Sequence, residues 1–147
     1  MIKSIAVAAL GSVLLLGACA ETATEAPIAD RSKPAPSANI ARNAEVSARG
    51  LFAGQSDVKT FGSASLGKTG NGWVVILNED FRYGGSEAPK VGLGNNGYKT
   101  ELAGLSSFKG RQVYAIPASV SIDEVSEVWI WDAAGKKGTG VASLVKN

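Results

Sequence analysis

The residues able to do chemistry in this chain are carboxylates and tryptophans, because most other reactive types are missing. There is no histidine, and the single methionine and single cysteine are Met1 and Cys19. Beyond Cys19 the chain therefore carries no imidazole, thiol or thioether. A Ser-His-Asp or Cys-His arrangement needs an imidazole, so both are excluded. Zinc and copper sites built from His and Cys are excluded too. Haem iron would have to rely on tyrosine or another oxygen ligand in place of His, Cys or Met. What remains is Glu79-Asp80 ahead of Phe81, Glu87 in a Gly- and Pro-rich loop, Asp132 directly after Trp131, and the tryptophans Trp73, Trp129 and Trp131. Two carboxylates flanking a cleft can do acid/base work on a glycan. Glu79, Asp80, Glu87 and Asp132 are also hard oxygen donors suited to Ca²⁺, although no Asp-x-Asp-x-Asp-Gly loop is present. The plainer reading is that these are solvated groups at strand ends, and Asp132-Ala133-Ala134-Gly135 reads as a turn. No metal site and no cofactor are expected, with haem or calcium the minor alternatives. Trp129 and Trp131 share one face of a regular strand, and Val128 and Ile130 the other. One face must be core, and the bulk of the indoles favours theirs.

The thiol of Cys19 has a different setting. Met1-Ile2-Lys3-Ser4 leads into an apolar run from Ile5 to Leu16, followed by Gly17-Ala18-Cys19. One positive charge, a short apolar run and a small-residue exit mark a secretory signal. The run is too short for a membrane span, which needs roughly 20 apolar residues. Leu16-Gly17-Ala18-Cys19 resembles the bacterial lipobox, which implies cleavage after residue 18 and lipid on Cys19. Two or more acyl chains anchor a protein stably, each buried CH₂ contributing about 0.8 kcal/mol. Ala20 follows the cysteine, and by resemblance to Gram-negative lipoproteins a non-acidic residue there favours the outer membrane, facing the periplasm.

The elements that must position the candidate residues lie further on. Residues 19–49 lack aromatics and are rich in Ala, Thr and Pro, too polar to offset the entropy of ordering. They read as a lipidated flexible tether, with a short helix over 40–48 as an alternative. At Gly50 the composition changes: all Trp, Tyr and Phe residues fall between Phe52 and Trp131. Short apolar runs recur at 61–66, 73–77, 90–93, 101–105, 113–116, 127–131 and 140–145, separated by Gly, Asn and Ser turns. That pattern predicts an all-β domain over 50–147, an antiparallel sandwich or barrel-like fold of about eight short strands. Thr69-Gly70-Asn71-Gly72 suits a hairpin, and Ile122-Asp123-Glu124-Val125 a single helical turn. The net charge of +2 falls to about +1 without the signal. Lys109-Gly110-Arg111 and Lys136-Lys137 read as solvated turns rather than lipid-binding spots. No basic face marks a nucleic-acid partner.

Spread through the β region are Gly50-Leu51-Phe52, Gly62-Ser63-Ala64, Asp80-Phe81, Gly85-Ser86-Glu87-Ala88-Pro89-Lys90-Val91, Lys109 to Pro117, Val128-Trp129-Ile130-Trp131 and Gly140-Val141-Ala142. In order and spacing these residues resemble the DM-thirteen domain family, often labelled an electron-transfer domain, across about 50–145. The resemblance implies an extracytoplasmic β-sandwich-like module with a redox cysteine immediately after the Ile-Trp pair. Here that position is Asp132. An aspartate neither cycles between thiol and disulfide nor supplies a thiolate to iron. The leading expectation is a non-catalytic binding or accessory module held to a membrane through Cys19, with an envelope protein or small ligand as partner. The alternatives are electron transfer, as the family label implies, and a carboxylate-based glycan hydrolase.

Overall fold

A computed structural model of the chain describes residues 41–147. The signal segment, Cys19 and the tether up to residue 40 lie outside the described residues.

The strongest local instruction is the turn Thr69-Gly70-Asn71-Gly72. It joins β3 (Ser63–Thr69) to β4 (Gly72–Leu77) as an antiparallel hairpin paired from Thr69↔Gly72 to Ala64↔Leu77. Gly72 sits at φ +122°, open to glycine at no steric cost. The Thr69 hydroxyl donates to the Gly72 carbonyl at 2.9 Å and accepts from the Asn71 N–H at 3.2 Å. Along β4 the β-branched run presents Val75 and Leu77 to the core, as a two-residue period requires.

The other strands are β1 (Glu45–Gly54), β2 (Thr60–Phe61), β5 (Arg82–Tyr83), β6 (Pro89–Gly94), β7 (Tyr98–Gly104), β8 (Gln112–Ala115), β9 (Glu127–Asp132), β10 (Lys137–Ser143) and β11 (Val145–Lys146). The main sheet runs β7-β6-β9-β10-β1-β3-β4-β8, with β11 on β1 and a separate β2–β5 pair. All pairings are antiparallel. β1 links the two halves: it pairs with β3 over Glu45–Leu51 and with β10 over Phe52–Gly54. The sheet curls into a nearly closed barrel. At its end strands, the loop that follows β7 is tied to β8 by side chains. Tyr114 Oη accepts from the Ser106 N–H at 2.9 Å, and Gln112 Oε1 from the Ser107 N–H at 3.0 Å. The all-β, barrel-like architecture is thus the one the strand pattern predicts.

The barrel interior holds Phe52 and Phe81 edge to face at 5.3 Å, with Leu66, Leu77, Val91, Leu93, Val128 and Ile130 around them. Each such fully buried side chain contributes roughly 1.5–3 kcal/mol.

Two expectations need correction. The β domain starts before Gly50: Ala41–Asn43 form one 3₁₀ turn and β1 runs from Glu45, in place of the helix allowed over 40–48. Ala48 is buried in the core, so this segment does contribute packing despite its small side chains. The tryptophan face of β9 is also not the core face. Val128 and Ile130 point inward and are fully buried, which places Trp129 and Trp131 on the outer face, where Trp129 is buried as expected and Trp131 only half-buried.

Candidate functional site

Asp132 ends β9, opposite Pro89 of β6 and Lys137 of β10. Its Oδ1 accepts hydrogen bonds from the N–H groups of Ala134 and Gly135, both at 3.1 Å. This is an Asx-type clamp, in which the carboxylate satisfies the backbone of its own turn. The turn closes through Lys136 at φ +50°. At the position where the family resemblance puts a redox cysteine, the side chain is engaged in holding the β9–β10 hairpin. The residues there do not fit a thiolate-held redox group.

The other carboxylates do not join it. Asp80 Oδ1 accepts from the N–H and the hydroxyl of Ser63, at 3.1 and 3.0 Å, pinning the β4–β5 loop to the start of β3. Glu79 is exposed, and its backbone carbonyl accepts from Arg82 Nη1 at 2.9 Å. Glu87 is exposed in the loop between β5 and β6. Among the described residues no three Asp, Glu, His or Cys side chains gather closely enough to hold a metal ion.

Near Asp132 the structure builds a buried polar knot whose partners are far apart in sequence. Thr139 sits at an irregularity in β10, between Gly138 and Gly140. Its hydroxyl donates to the Ile130 carbonyl at 3.1 Å and accepts from Tyr83 Oη at 3.3 Å. The Thr60 hydroxyl donates to the Thr139 carbonyl at 2.8 Å, and Tyr83 Oη accepts from the Ser86 N–H at 3.1 Å. Thr60 and Thr139 are almost fully buried. Each polar group in the knot has a partner, which is what burial demands.

The outer face of β7-β6-β9-β10 carries the aromatic residues. Trp129 is 9 % exposed although it faces away from the core. It lies over glycines: a Cβ at Gly94 would stand 2.5 Å from its Nε1, and one at Gly138 2.5 Å from its Cζ3. Glu127 fixes the indole, its Oε2 accepting from Trp129 Nε1 at 2.8 Å and from the Gly97 N–H at 2.9 Å. Trp131 is half-buried and stacks on Tyr98 with ring centroids 4.6 Å apart. Tyr98 Oη is buried without a hydrogen-bond partner. Burial, and secondarily the charge of Glu101, raises the Tyr98 phenol above its ordinary value. These rings fill the space left by the glycines of β6, and Trp131 offers only a partly covered ring for stacking. Neither Glu127 nor Tyr98 was singled out in the sequence, where each is an unremarkable polar residue at a strand start.

Open space lies at the other end of the barrel, around the β8–β9 connection (116–126), whose 3₁₀ turn is Ile122–Glu124. Among the described residues, clefts flank it on several sides. One of about 320 Å³ is lined by Leu93, Gly94, Asn95, Lys99 and Thr100 on one side and by Ser119, Val120, Ser121, Glu124 and Val125 on the other. A second, of about 280 Å³, lies between Trp73, Ile122 and Leu144. A third, of about 430 Å³, lies between Trp73, Ile116, Val120 and Ile122. The connection is fastened at its ends, by the Ile116 N–H to the Trp73 carbonyl at 2.9 Å and the Ser126 N–H to the Gly94 carbonyl at 3.0 Å. Between those points it is held by short local bonds, Val120 N–H to Pro117 O and Glu124 N–H to Ser121 O.

The sequence-predicted residues are thus dispersed, each serving its own loop or strand, and the concave sites are built from residues that motif reading passed over. A long Ser- and Pro-containing stretch between two strands was the one available signal. No protein-family model matches the chain, and no curated protein and no solved structure matches it either.

Proposed function

We propose that this chain is an envelope lipoprotein, anchored through lipid on Cys19, whose β domain is a DM-thirteen-like binding or accessory module without catalytic chemistry. The observation that carries the reading is the engagement of Asp132: its carboxylate accepts from two N–H groups of its own turn. Composition supports it from another side, since residues beyond Cys19 include no imidazole, thiol or thioether. Supporting the binding role are the clefts beside the β8–β9 connection, in the size range of small-molecule sites. Outer-membrane placement rests on Ala20, and attachment on the lipobox-like Leu16-Gly17-Ala18-Cys19.

The test is expression of the full chain in a Gram-negative host, with native purification from the membrane fraction. The expected product is lipidated, leaves the membrane when Cys19→Ser is introduced, and shows no Soret band and no stoichiometric iron or copper. Stoichiometric haem or a transition metal would overturn the non-redox reading. An unlipidated wild-type protein in the soluble fraction would overturn the anchor.

A further inference from the structure

We propose that the cleft between β6–β7 and the β8–β9 connection binds a small zwitterion, an amino acid or short peptide with free termini. The inference rests on the binding-module reading and names the ligand class of one of its clefts.

The cleft has an apolar floor and two charged walls. Leu93 and Val125 belong to the barrel core, nearly or fully buried, and form the floor beside Gly94. Lys99 lines one wall and Glu124 the other. Among the described residues neither makes an ion pair or a side-chain hydrogen bond, with each other or with any third group. The hydroxyls of Thr100, Ser119 and Ser121, also in the lining, make no hydrogen bond within the described residues. The carboxylate of nearby Glu127 is engaged through Oε2 by Trp129 and Gly97 and makes no ion pair with Lys99.

A cation and an anion facing one cleft without joining each other offer two opposite, unfilled charges to a guest. A guest carboxylate meets the Lys99 ammonium, a guest ammonium meets the Glu124 carboxylate, and the hydroxyls serve the remaining polar atoms. Such charge-assisted hydrogen bonds are about twice as strong as neutral ones. The volume of about 320 Å³ suits a guest at the small end of the usual range. The two walls differ in stiffness. β6 and β7 are laddered, with Asn95 held by the Gly97 carbonyl and by the Ser126 hydroxyl. The 117–125 wall has mainly local bonds and can adjust to the guest.

The test is a nitrogen-15 amide titration of the protein as cells make it, in detergent, with three probes. These are L-alanyl-L-alanine, its end-blocked form N-acetyl-L-alanyl-L-alaninamide, and N-acetylglucosamine. The expected result is saturable shifts at Asn95, Thr100, Ser121 and Glu124 with the free dipeptide. The blocked form should bind about tenfold more weakly, and so should the free dipeptide to Lys99→Gln or Glu124→Gln. Both residues are exposed, so unchanged spectra of the unliganded variants show that folding is intact. Equal binding of free and blocked peptide would overturn the zwitterion. Shifts at these amides with the sugar alone would also overturn it, while leaving the cleft as a binding site. No saturable shift at these amides with any probe would overturn the site itself.

Discussion

Replacing Asp132 by alanine removes one acceptor that serves two donors, and the size of the effect follows from where those donors sit. Oδ1 receives the N–H groups of Ala134 and Gly135 at 3.1 Å, and both bonds are exposed. Water can take over each N–H when the carboxylate is gone, so the loss is the net of an exchange. A side-chain oxygen capping free N–H groups at a helix start presents the same physics, and its removal costs typically about 1 kcal/mol. With a urea m-value of about 2 kcal/mol/M, that cost lowers the unfolding midpoint by roughly 0.5 M. Asp132→Asn keeps an oxygen acceptor and should lose less than half as much. Asp132→Cys offers only a weak sulfur acceptor and should behave like alanine. Urea unfolding followed by tryptophan fluorescence measures all three on the full chain. An Asp132→Ala protein as stable as wild type would refute the clamp. So would an asparagine variant as damaged as the alanine one.

Other expectations follow from single contacts. Gly94→Ala would place a Cβ 2.2 Å from the Gly97 carbonyl oxygen and 2.5 Å from Trp129 Nε1, so a loss of about 1–3 kcal/mol should appear in the same unfolding assay, with a changed tryptophan emission. Thr139→Val leaves the Ile130 carbonyl without its hydroxyl donor and leaves Tyr83 Oη only Ser86 Oγ, at 3.3 Å, as an acceptor, and should cost about 1–3 kcal/mol where an exposed Thr→Val would be near neutral. Tyr98→Phe removes a buried hydroxyl that has no partner, so it should be neutral or stabilising near pH 7. The folded-state value of Tyr98 is raised, first by burial and then by Glu101. Its proton is therefore held more tightly in the folded chain, and that part of the stability is complete below pH about 10 and lost as pH rises through the folded value. Stability profiles between pH 8 and 11 should fall less steeply for Tyr98→Phe than for wild type, and parallel profiles would contradict this.

The legible parts of the fold were those where a local pattern carried the instruction alone. Trp73 to Leu77 is a continuous apolar run behind a Gly-Asn-Gly turn, and it forms β4 of the hairpin. The single turn at Ile122–Glu124 also came out as read. The first half of β1 was not legible, because Val46-Ser47-Ala48-Arg49 sends only a small Ala48 side chain into the core. Its strand state comes from pairing with β3 and β11, which are distant in sequence. The orientation of β9 was ambiguous for a related reason. Both faces of Val128-Trp129-Ile130-Trp131 are apolar, and the choice is made by Gly92, Gly94 and Gly138 on neighbouring strands, which leave room for rings outside.

The site divides in the same way. Asp132 reads as a turn aspartate from Asp-Ala-Ala-Gly alone, and its two hydrogen bonds are those of a turn. Glu79, Asp80 and Glu87 are close in sequence and all exposed, yet only the Asp80 carboxylate turns to Ser63, because loop direction, invisible locally, decides. The cleft proposed for a zwitterion joins residues 93–100 to residues 119–125, which the long-range pairing of β6 with β9 brings together.

Protein-film voltammetry on natively purified full-length protein tests most directly whether Asp132 serves its own turn and not a redox group. Across the potential range of thiol, haem and iron–sulfur couples, a flat trace is expected, and it should stay flat for Asp132→Ala. A reversible wave of near-stoichiometric charge in the wild type, lost in Asp132→Ala while the fold persists, would contradict it.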